Sequence, residues 1–194
     1  MDILPIFLCG PHCCGKTSML KDLHREGLIS EGGLEIGKEL FYQRHIDTAS
    51  QGEEFEKEIT QMEIMRDEEY ARKGGVIGIE SWHPGNLAYA MVRNPFIVPY
   101  LLQRMKESPL LPVAYGICFC VSRENIFLRT QTFKDNKSWA VDFYMQIGSC
   151  MNECLNHLGL LERCVFVDAN RAYDDVYLDV KSAVKEIRNY LVQI

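Results

Sequence analysis

The sequence predicts an α/β protein in which a parallel β-sheet carries helices on both of its faces. Five short apolar runs alternate along the chain with longer segments of helical character. The runs are continuously apolar instead of alternating with polar residues, a pattern typical of strands that are buried on both faces. Because parallel neighbours are joined by crossover connections, the alternation indicates a three-layer arrangement.

Length, charge and cysteine content limit the class of protein. The chain has 194 residues and no repeat or linker, so we expect a single domain over residues 1–194. A formal net charge of −6 argues against a nucleic-acid partner, and no apolar run is long enough for a membrane partner. The eight cysteines lie partly in strand-like runs and show no zinc-finger spacing, which predicts a reducing, cytoplasmic location.

The first strand is predicted over Ile3–Cys9, and it leads into a phosphate-binding motif. Residues 10–17 read Gly-Pro-His-Cys-Cys-Gly-Lys-Thr and fit G-x-x-x-x-G-K-[ST], with a helix predicted over Lys16–Glu26. The glycines allow backbone N–H groups to point at phosphate oxygens, and the helix N-terminus adds positive potential. We predict that the ligand is MgATP, with Lys16 as a catalytic cation on the β and γ phosphates. The residues expected to bind this nucleotide are Gly10, Pro11, His12, Cys13, Cys14, Gly15, Lys16, Thr17 and Ser18.

Two cysteines inside the motif leave a choice of roles. A helix N-terminus lowers the pKa of a thiol, so Cys13 and Cys14 are compatible with a redox switch. Alternatively, they are small side chains tolerated at positions where only the backbone binds phosphate. The sequence favours the second interpretation and leaves the first open.

The next two predicted strands bring an acidic residue to the edge of the sheet at which the phosphate-binding motif lies. A weak run is predicted at residues 34–36 between glycines, a helix over Phe55–Lys73, and a stronger strand over Val76–Ile79, which ends in Glu80. Ligands of open α/β sheets lie beyond the carboxyl ends of the strands, and a carboxylate there can hold a Mg²⁺-bound water. We therefore predict a metal site formed by Thr17 and Glu80, the alternative being a solvated glutamate at a strand end.

The second half of the chain supplies two more cations. A helical segment over Ala88–Lys106 contains two prolines and is predicted to be kinked or divided. The fourth strand, Ala114–Val121, precedes Arg123 and Arg129, and arginine suits bidentate contact with phosphate. Because their separation is roughly two helical turns, both are predicted to face the cleft. The remaining elements are a helix over Trp139–Leu158, a strand over Cys164–Val167 and a helix over Asp174–Val192.

Two segments resemble thymidylate kinases. Residues 80–89, Glu-Ser-Trp-His-Pro-Gly-Asn-Leu-Ala-Tyr, resemble D-R-Y-x-x-S-x-x-A-Y, and Asp168 and Ala169 resemble the D-A segment that lies against adenine in that family. The resemblance implies a three-layer P-loop NTPase fold with strand order 2-3-1-4-5. It also implies that the γ-phosphate of MgATP is transferred to a nucleoside monophosphate, that Asp168 and Ala169 bind ATP, and that Trp82 contacts the substrate.

The resemblance also implies how the transferred phosphate is surrounded. Small kinases of this group close a basic lid over the cleft, here at about residues 122–138, with Arg123 and Arg129 as catalytic cations. The family places an arginine after the strand-end acid, whereas this chain has Ser81. Another cation must then bind the acceptor phosphate, and our candidate is Arg93, which lies four residues beyond Tyr89 and can share its helix face.

Other features favour different acceptors. Glu35-Ile36-Gly37-Lys38 and Gln61 resemble nucleoside kinases, which include deoxynucleoside kinases and small domains like nicotinamide riboside kinase. That resemblance implies Glu35 as base toward a substrate hydroxyl and Gln61 as reader of the nucleobase. Alternatively, Glu35 is a solvated loop residue and Gln61 lies on a polar helix face. An alternative of another class is a non-catalytic or regulatory ATP-binding module. The partner expected is a small nucleotide or nucleoside, and a homodimer is left open.

Overall fold

The computed structural model describes residues 3–44, 51–130 and 137–192. Within these ranges the chain forms five strands, all parallel, and eight α-helices. The strands are Ile3–Cys9 (β1), Glu31–Gly33 (β2), Gly75–Glu80 (β3), Tyr115–Cys120 (β4) and Cys164–Asp168 (β5). They lie in the order β2-β3-β1-β4-β5, which confirms the predicted P-loop NTPase sheet.

The helices cover both faces of the sheet. They are Lys16–Arg25 (α1), Ile36–Arg44 (α2), Glu53–Lys73 (α3), Trp82–Arg93 (α4), Val98–Met105 (α5), Arg123–Arg129 (α6), Lys137–His157 (α7) and Tyr173–Val192 (α8). The predicted break in the fourth helical segment is present, because a short 3₁₀ turn at Pro95–Ile97 separates α4 from α5. No helix in the described ranges is long and apolar enough to cross a membrane.

Strand β1 lies at the centre of the sheet and is buried on both faces. Phe7 and Cys9 pack into a core formed with α3, α4, α5 and α7. Leu4, Ile6 and Leu8 pack on the opposite face with α1 and α8. Because side chains on both faces of the strand are buried in these cores, its sequence is continuously apolar.

The carboxyl ends of the central strands meet at one edge of the sheet. Leu8 of β1 is in register with Glu80 of β3, and Cys9 is in register with Cys118 of β4. The amide of Ser81 donates to the carbonyl oxygen of Leu8 at 2.8 Å. The loop after β1 and the turn after β3 therefore start from the same point, which is where ligands of such sheets bind.

The second strand differs from the prediction. It covers Glu31–Gly33 instead of residues 34–36, and Leu34 is already outside the sheet. Helix α3 approaches this strand closely at Gly33, where a Cβ atom would lie 2.8 Å from the hydroxyl oxygen of Tyr70. Helix α2, which the sequence did not predict, begins at Ile36, so Glu35 occupies the junction between strand and helix.

Candidate active site

The loop between β1 and α1 has the backbone that phosphate binding requires. Gly10 has a φ of 141°, and a Cβ atom there would lie 2.8 Å from the carbonyl oxygen of Phe119. Helix α1 begins after Gly15 and has no side-chain cap. The first N–H groups of α1 are therefore available to an anion, and the positive end of the helix adds to the attraction.

Lys16 is buried inside this loop. Its amine donates to the carbonyl oxygens of Gly10 and Pro11 at 3.0 and 2.9 Å. Burial alone would lower the pKa of the amine, but Cys14, Glu35 and Glu80 raise it above its usual value. The amine is thus charged at neutral pH, and it also donates to the Cys14 sulfur at 3.7 Å.

Thr17 and Glu80 meet across the loop as a metal site would require. The Thr17 hydroxyl donates to Glu80 Oε1 at 2.6 Å, and Glu80 is buried. Among the described residues, the other carboxylate oxygen of Glu80, Oε2, has no hydrogen-bond partner. A buried carboxylate oxygen without a partner is costly, and a hydrated divalent cation would satisfy it. These two residues therefore fit a Mg²⁺ site.

A cavity of about 450 Å³ opens at this edge of the sheet. It brings together residues from the loop, β3, α6 and the junction after β2. The predicted residues that line it are His12, Cys13, Gly15, Lys16, Thr17, Ser18, Glu35, Glu80 and Arg129. Lys38 of α2 also lines it and was not assigned a role from the sequence. The volume suits a small molecule.

Glu35 faces this cavity because Ser81 holds it. The Ser81 hydroxyl donates to Glu35 Oε2 at 3.0 Å, and Ser81 itself is buried. Position 81, where thymidylate kinases have a cation, thus serves here to orient a carboxylate. The sequence analysis did not predict this contact, and no sequence motif near either residue indicates it.

His12 contributes a neutral ring to the cavity. It stacks on Tyr144 with the ring centroids 4.6 Å apart. Burial, together with the charges of Lys16 and Lys38, lowers the pKa of His12 to about 4. The cations of the cavity are therefore Lys16, Lys38 and Arg129 within the described part of the chain, and His12 adds none at neutral pH.

The two predicted lid arginines lie in different surroundings. Arg129 lines the cavity, and its guanidinium donates to the carbonyl oxygen of Ala169 at 2.9 Å. Arg123 instead pairs with Asp142 of α7 on the surface, at 2.7 Å. The prediction that both face the cleft is wrong, because six residues at about 100° each leave the side chains about 120° apart. Residues 131–136 of the predicted lid lie outside the described ranges.

The D-A segment lies at the end of β5, and the carbonyl group of Ala169 accepts from Arg129. The amide of Ala169 donates to the carbonyl oxygen of Cys120 at 2.8 Å, which fixes the segment to the sheet. Asp168 is exposed, and its Oδ1 accepts from the backbone and side chain of Asn170 at 3.0 and 2.7 Å. Neither Asp168 nor Ala169 lines the cavity. Their contact with adenine stays a prediction.

Three residues assigned to the acceptor lie away from the cavity. Trp82 is fully buried because α4 begins there and turns the ring into the core, where Nε1 donates to Asp67. Gln61 lies on the exposed face of α3 and accepts from Arg104 at 2.6 Å. The guanidinium of Arg93 lies 2.9 Å from buried Glu56 of α3. The structure does not support these three assignments.

Comparisons with known proteins identify the fold. No protein-family model matches the chain, and no curated protein does. The NadR protein, solved in complex with NAD and AMP-PNP, matches with a TM-score of 0.70 at 14% identity, over 96% of this chain and 49% of its own. Thymidylate kinase from Candida albicans matches with a TM-score of 0.68 at 13% identity, over 97% of this chain and 93% of its own.

A third structure agrees with these two. The YorR protein from Bacillus subtilis, solved in complex with phosphorylated GDP, matches with a TM-score of 0.62 at 19% identity, over 93% of this chain and 95% of its own. The chain thus has a P-loop kinase-like fold. It spans about half the length of the NadR chain. Identities this low establish the fold alone.

Proposed function

We propose that the protein transfers the γ-phosphate of MgATP to a hydroxyl group of a small nucleoside-like acceptor. The observation that carries this proposal is the position of Glu35. Its carboxylate shares a cavity with Lys16, Thr17 and Glu80, and the Ser81 hydroxyl holds it at 3.0 Å. A carboxylate beside the phosphate loop is suited to accept the proton of an attacking hydroxyl.

The nucleotide side of the reaction follows from the loop. A phosphate oxygen would replace the carbonyl oxygens of Gly10 and Pro11 as acceptor for the Lys16 amine, while loop N–H groups and the α1 N-terminus bind the remaining oxygens. Thr17 and Glu80 would hold Mg²⁺, which neutralises phosphate charge when bound. Arg129 adds a cation to the same cavity.

The transfer itself needs positioning and charge more than covalent help. The acceptor oxygen forms a bond to the γ-phosphorus as the bond from that phosphorus to the bridging oxygen of ADP breaks. The acceptor proton moves to the Glu35 carboxylate. Lys16 and Arg129 stabilise the negative charge that spreads over the transferred group and the leaving oxygen.

A nucleoside monophosphate is the second candidate acceptor, and Lys38 is the observation that favours it. This version needs a cation for the acceptor phosphate, and position 81 carries a hydroxyl. Arg93, the residue we expected to compensate, lies against buried Glu56. Lys38 lines the cavity and is the cation that a monophosphate would use there.

An acceptor panel distinguishes these versions. Transfer from radiolabelled ATP is measured with nucleosides, nicotinamide riboside and nucleoside monophosphates, using the wild type, Glu35→Gln and Glu39→Gln. Glu39 is an exposed glutamate in the first turn of α2, four residues beyond Glu35, and serves as the matched control. We expect nucleosides to be phosphorylated and Glu35→Gln to lose about 10² to 10⁴ in kcat, as removal of a general base commonly does. Glu39→Gln should keep normal turnover.

Other outcomes assign the other functions. If the Glu35→Gln variant still phosphorylates nucleoside monophosphates and the Lys38→Ala variant does not, the acceptor is a monophosphate instead of a nucleoside hydroxyl group. Binding of ATP without transfer to any acceptor would identify a non-catalytic ATP-binding module.

A further inference from the structure

The turn between β3 and α4 has an unusual backbone. Ser81 and Trp82 have φ values of 61° and 53°, in the left-handed region that bulky residues rarely adopt. The turn directly follows Glu80, and its Ser81 hydroxyl holds Glu35. Both carboxylates of the cavity therefore depend on the conformation of this turn. Such a backbone persists only where the surrounding structure holds it.

Asp67 of α3 holds the side chains that follow Ser81. Trp82 Nε1 donates to both of its carboxylate oxygens, at 3.1 and 3.0 Å. His83 Nε2 lies 2.9 Å from Asp67 Oδ2, and the Ser108 hydroxyl donates to the same oxygen at 2.6 Å. Asp67 and both rings are fully buried. These contacts fix the first two residues of α4 against α3.

The same cluster buries a histidine between two acidic side chains. His83 lies between two carboxylates, since its Nδ1 is 2.9 Å from Glu63 Oε2. The two atoms are close enough for an ion pair, although the geometry of the contact is not that of a hydrogen bond. Withdrawing ion pairs from water is costly, and a well-packed apolar cluster is often as stable. What the charged cluster adds is a fixed orientation for the residues at the start of α4.

We propose that Asp67 is a positioning residue for phosphoryl transfer, which holds Trp82 and His83 so that the turn presents Glu80 to Thr17 and Ser81 to Glu35. The inference rests on the proposed function, because it takes Glu80 as the acid of the magnesium site. Among the described residues, the hydrogen-bond partners of Asp67 are Trp82, His83 and Ser108, none of which lines the cavity. Releasing the turn therefore disturbs the coupling between Mg²⁺ and nucleotide while the residues of the phosphate loop remain intact.

The test compares Asp67→Asn with Val180→Ala. Val180 is a fully buried residue of α8 in the core on the other face of the sheet, so its truncation destabilises the protein away from the turn. Affinity for a non-hydrolysable ATP analogue is measured by calorimetry with and without Mg²⁺, and kcat and KM are measured for ATP. Urea midpoints report the stability of each variant.

We expect Asp67→Asn to reduce the ratio of affinities with and without Mg²⁺ at least fivefold and to reduce kcat at least tenfold, with KM for ATP within twofold. Val180→Ala should lower the urea midpoint and leave the affinity ratio and kcat within twofold of wild type. If Asp67→Asn behaves like Val180→Ala at an equal urea midpoint, Asp67 is only structural and the proposal is overturned.

A second variant covers the case in which Asp67→Asn does not fold. Trp82→Phe keeps an aromatic ring and removes the Nε1–H donor, and it should reduce the same affinity ratio; a normal ratio overturns the proposal. Where both variants fold, their double variant should lose less than the sum of the two single losses, because both variants disturb the contact between Asp67 and Trp82. If the wild type transfers phosphate to no acceptor, the proposed function fails, and the magnesium coupling still decides whether Asp67 positions the turn.

Discussion

Lys16 and Glu80 show what the cavity requires from a ligand at the scale of single residues. The Lys16 amine donates to two backbone carbonyl oxygens and to the Cys14 sulfur, and Glu80 has one buried oxygen without a partner among the described residues. A cation facing neutral acceptors attracts an anion, and a carboxylate with a free oxygen attracts a cation. A triphosphate with its divalent metal satisfies both groups at once.

Replacing Glu80 by glutamine tests the metal site. The Glu80→Gln substitution keeps the side-chain volume and an acceptor for the Thr17 hydroxyl but removes the charge. We expect kcat to fall by about 10² to 10³, as removal of one preorganised charge commonly does, and the half-saturating Mg²⁺ concentration to rise. The affinity for ATP should change much less. Steady-state kinetics over a Mg²⁺ titration measures all three quantities.

The control for that experiment is Glu31→Gln. Glu31 is a glutamate of β2 that pairs with Lys73 on the surface, so its loss should leave the kinetics unchanged. If Glu80→Gln shows wild-type turnover and wild-type Mg²⁺ dependence, Glu80 has a structural role only.

The site residues that could be predicted from the sequence are those whose arrangement depends on residues nearby in the chain. The eight residues from Gly10 to Thr17 are contiguous, and their geometry follows from one strand, one loop and one helix. Glu80 followed from its place at a strand end. The contact between Ser81 and Glu35 joins residues 46 positions apart and depends on β2 ending at Gly33, which the sequence did not reveal.

The orientation of helix α6 determines which of its two arginines lines the cavity. Its N-cap is Ser122, which accepts from the amide of Asn125, so the helix begins where the chain leaves the sheet edge. That start fixes which face meets the cavity. Arg129 lies on that face, whereas Arg123 faces α7.

The two arginines of α6 provide a matched pair for mutation. Arg129→Ala should lower kcat about tenfold to a hundredfold, because it removes a cation from the transfer site. Arg123→Ala should leave kcat within about twofold, since an exposed ion pair contributes about 0–1 kcal/mol to stability and nothing to the cavity. Initial rates at saturating ATP measure the difference. Equal losses in both variants would restore the prediction that both arginines face the cleft.

Helix α3 was predicted as an element, but its buried face was not. Acidic side chains are rarely buried unless paired, so the sequence of α3 alone does not indicate a buried acidic face. The structure instead buries four polar residues at helical spacing along the face that meets α4. They are Glu56, Thr60, Glu63 and Asp67. The partners of these acids come from α4 and are Arg93, His83 and Trp82. The burial of this face is therefore explained only by the tertiary structure.

At the scale of the whole molecule, two histidines, the buried His83 and the half-buried His12, give opposite responses to pH. Burial would lower the pKa of His83, but Glu63 and Asp67 raise it to about 9. The folded protein therefore holds a proton that the unfolded chain releases above about pH 6.5. Burial and the nearby lysines lower the pKa of His12 to about 4, so the unfolded chain gains a proton first as the pH falls. Stability should decline in both directions from a value near pH 6.5.

The alkaline side of this profile is the sharper test, because His83 is fully buried in a cluster that joins α3 to α4. Its stabilising contribution is complete below about pH 6.5 and is lost as the pH rises through about 9, a difference on the order of 3 kcal/mol in the free energy of unfolding. Urea unfolding between pH 6.5 and 9 should show this decline in the wild type and in the exposed-site control His157→Gln, and a much smaller one in His83→Gln. NMR titration of the wild-type histidines provides a direct check: an imidazole of His83 that titrates near its ordinary pKa in the folded protein would contradict the buried charge.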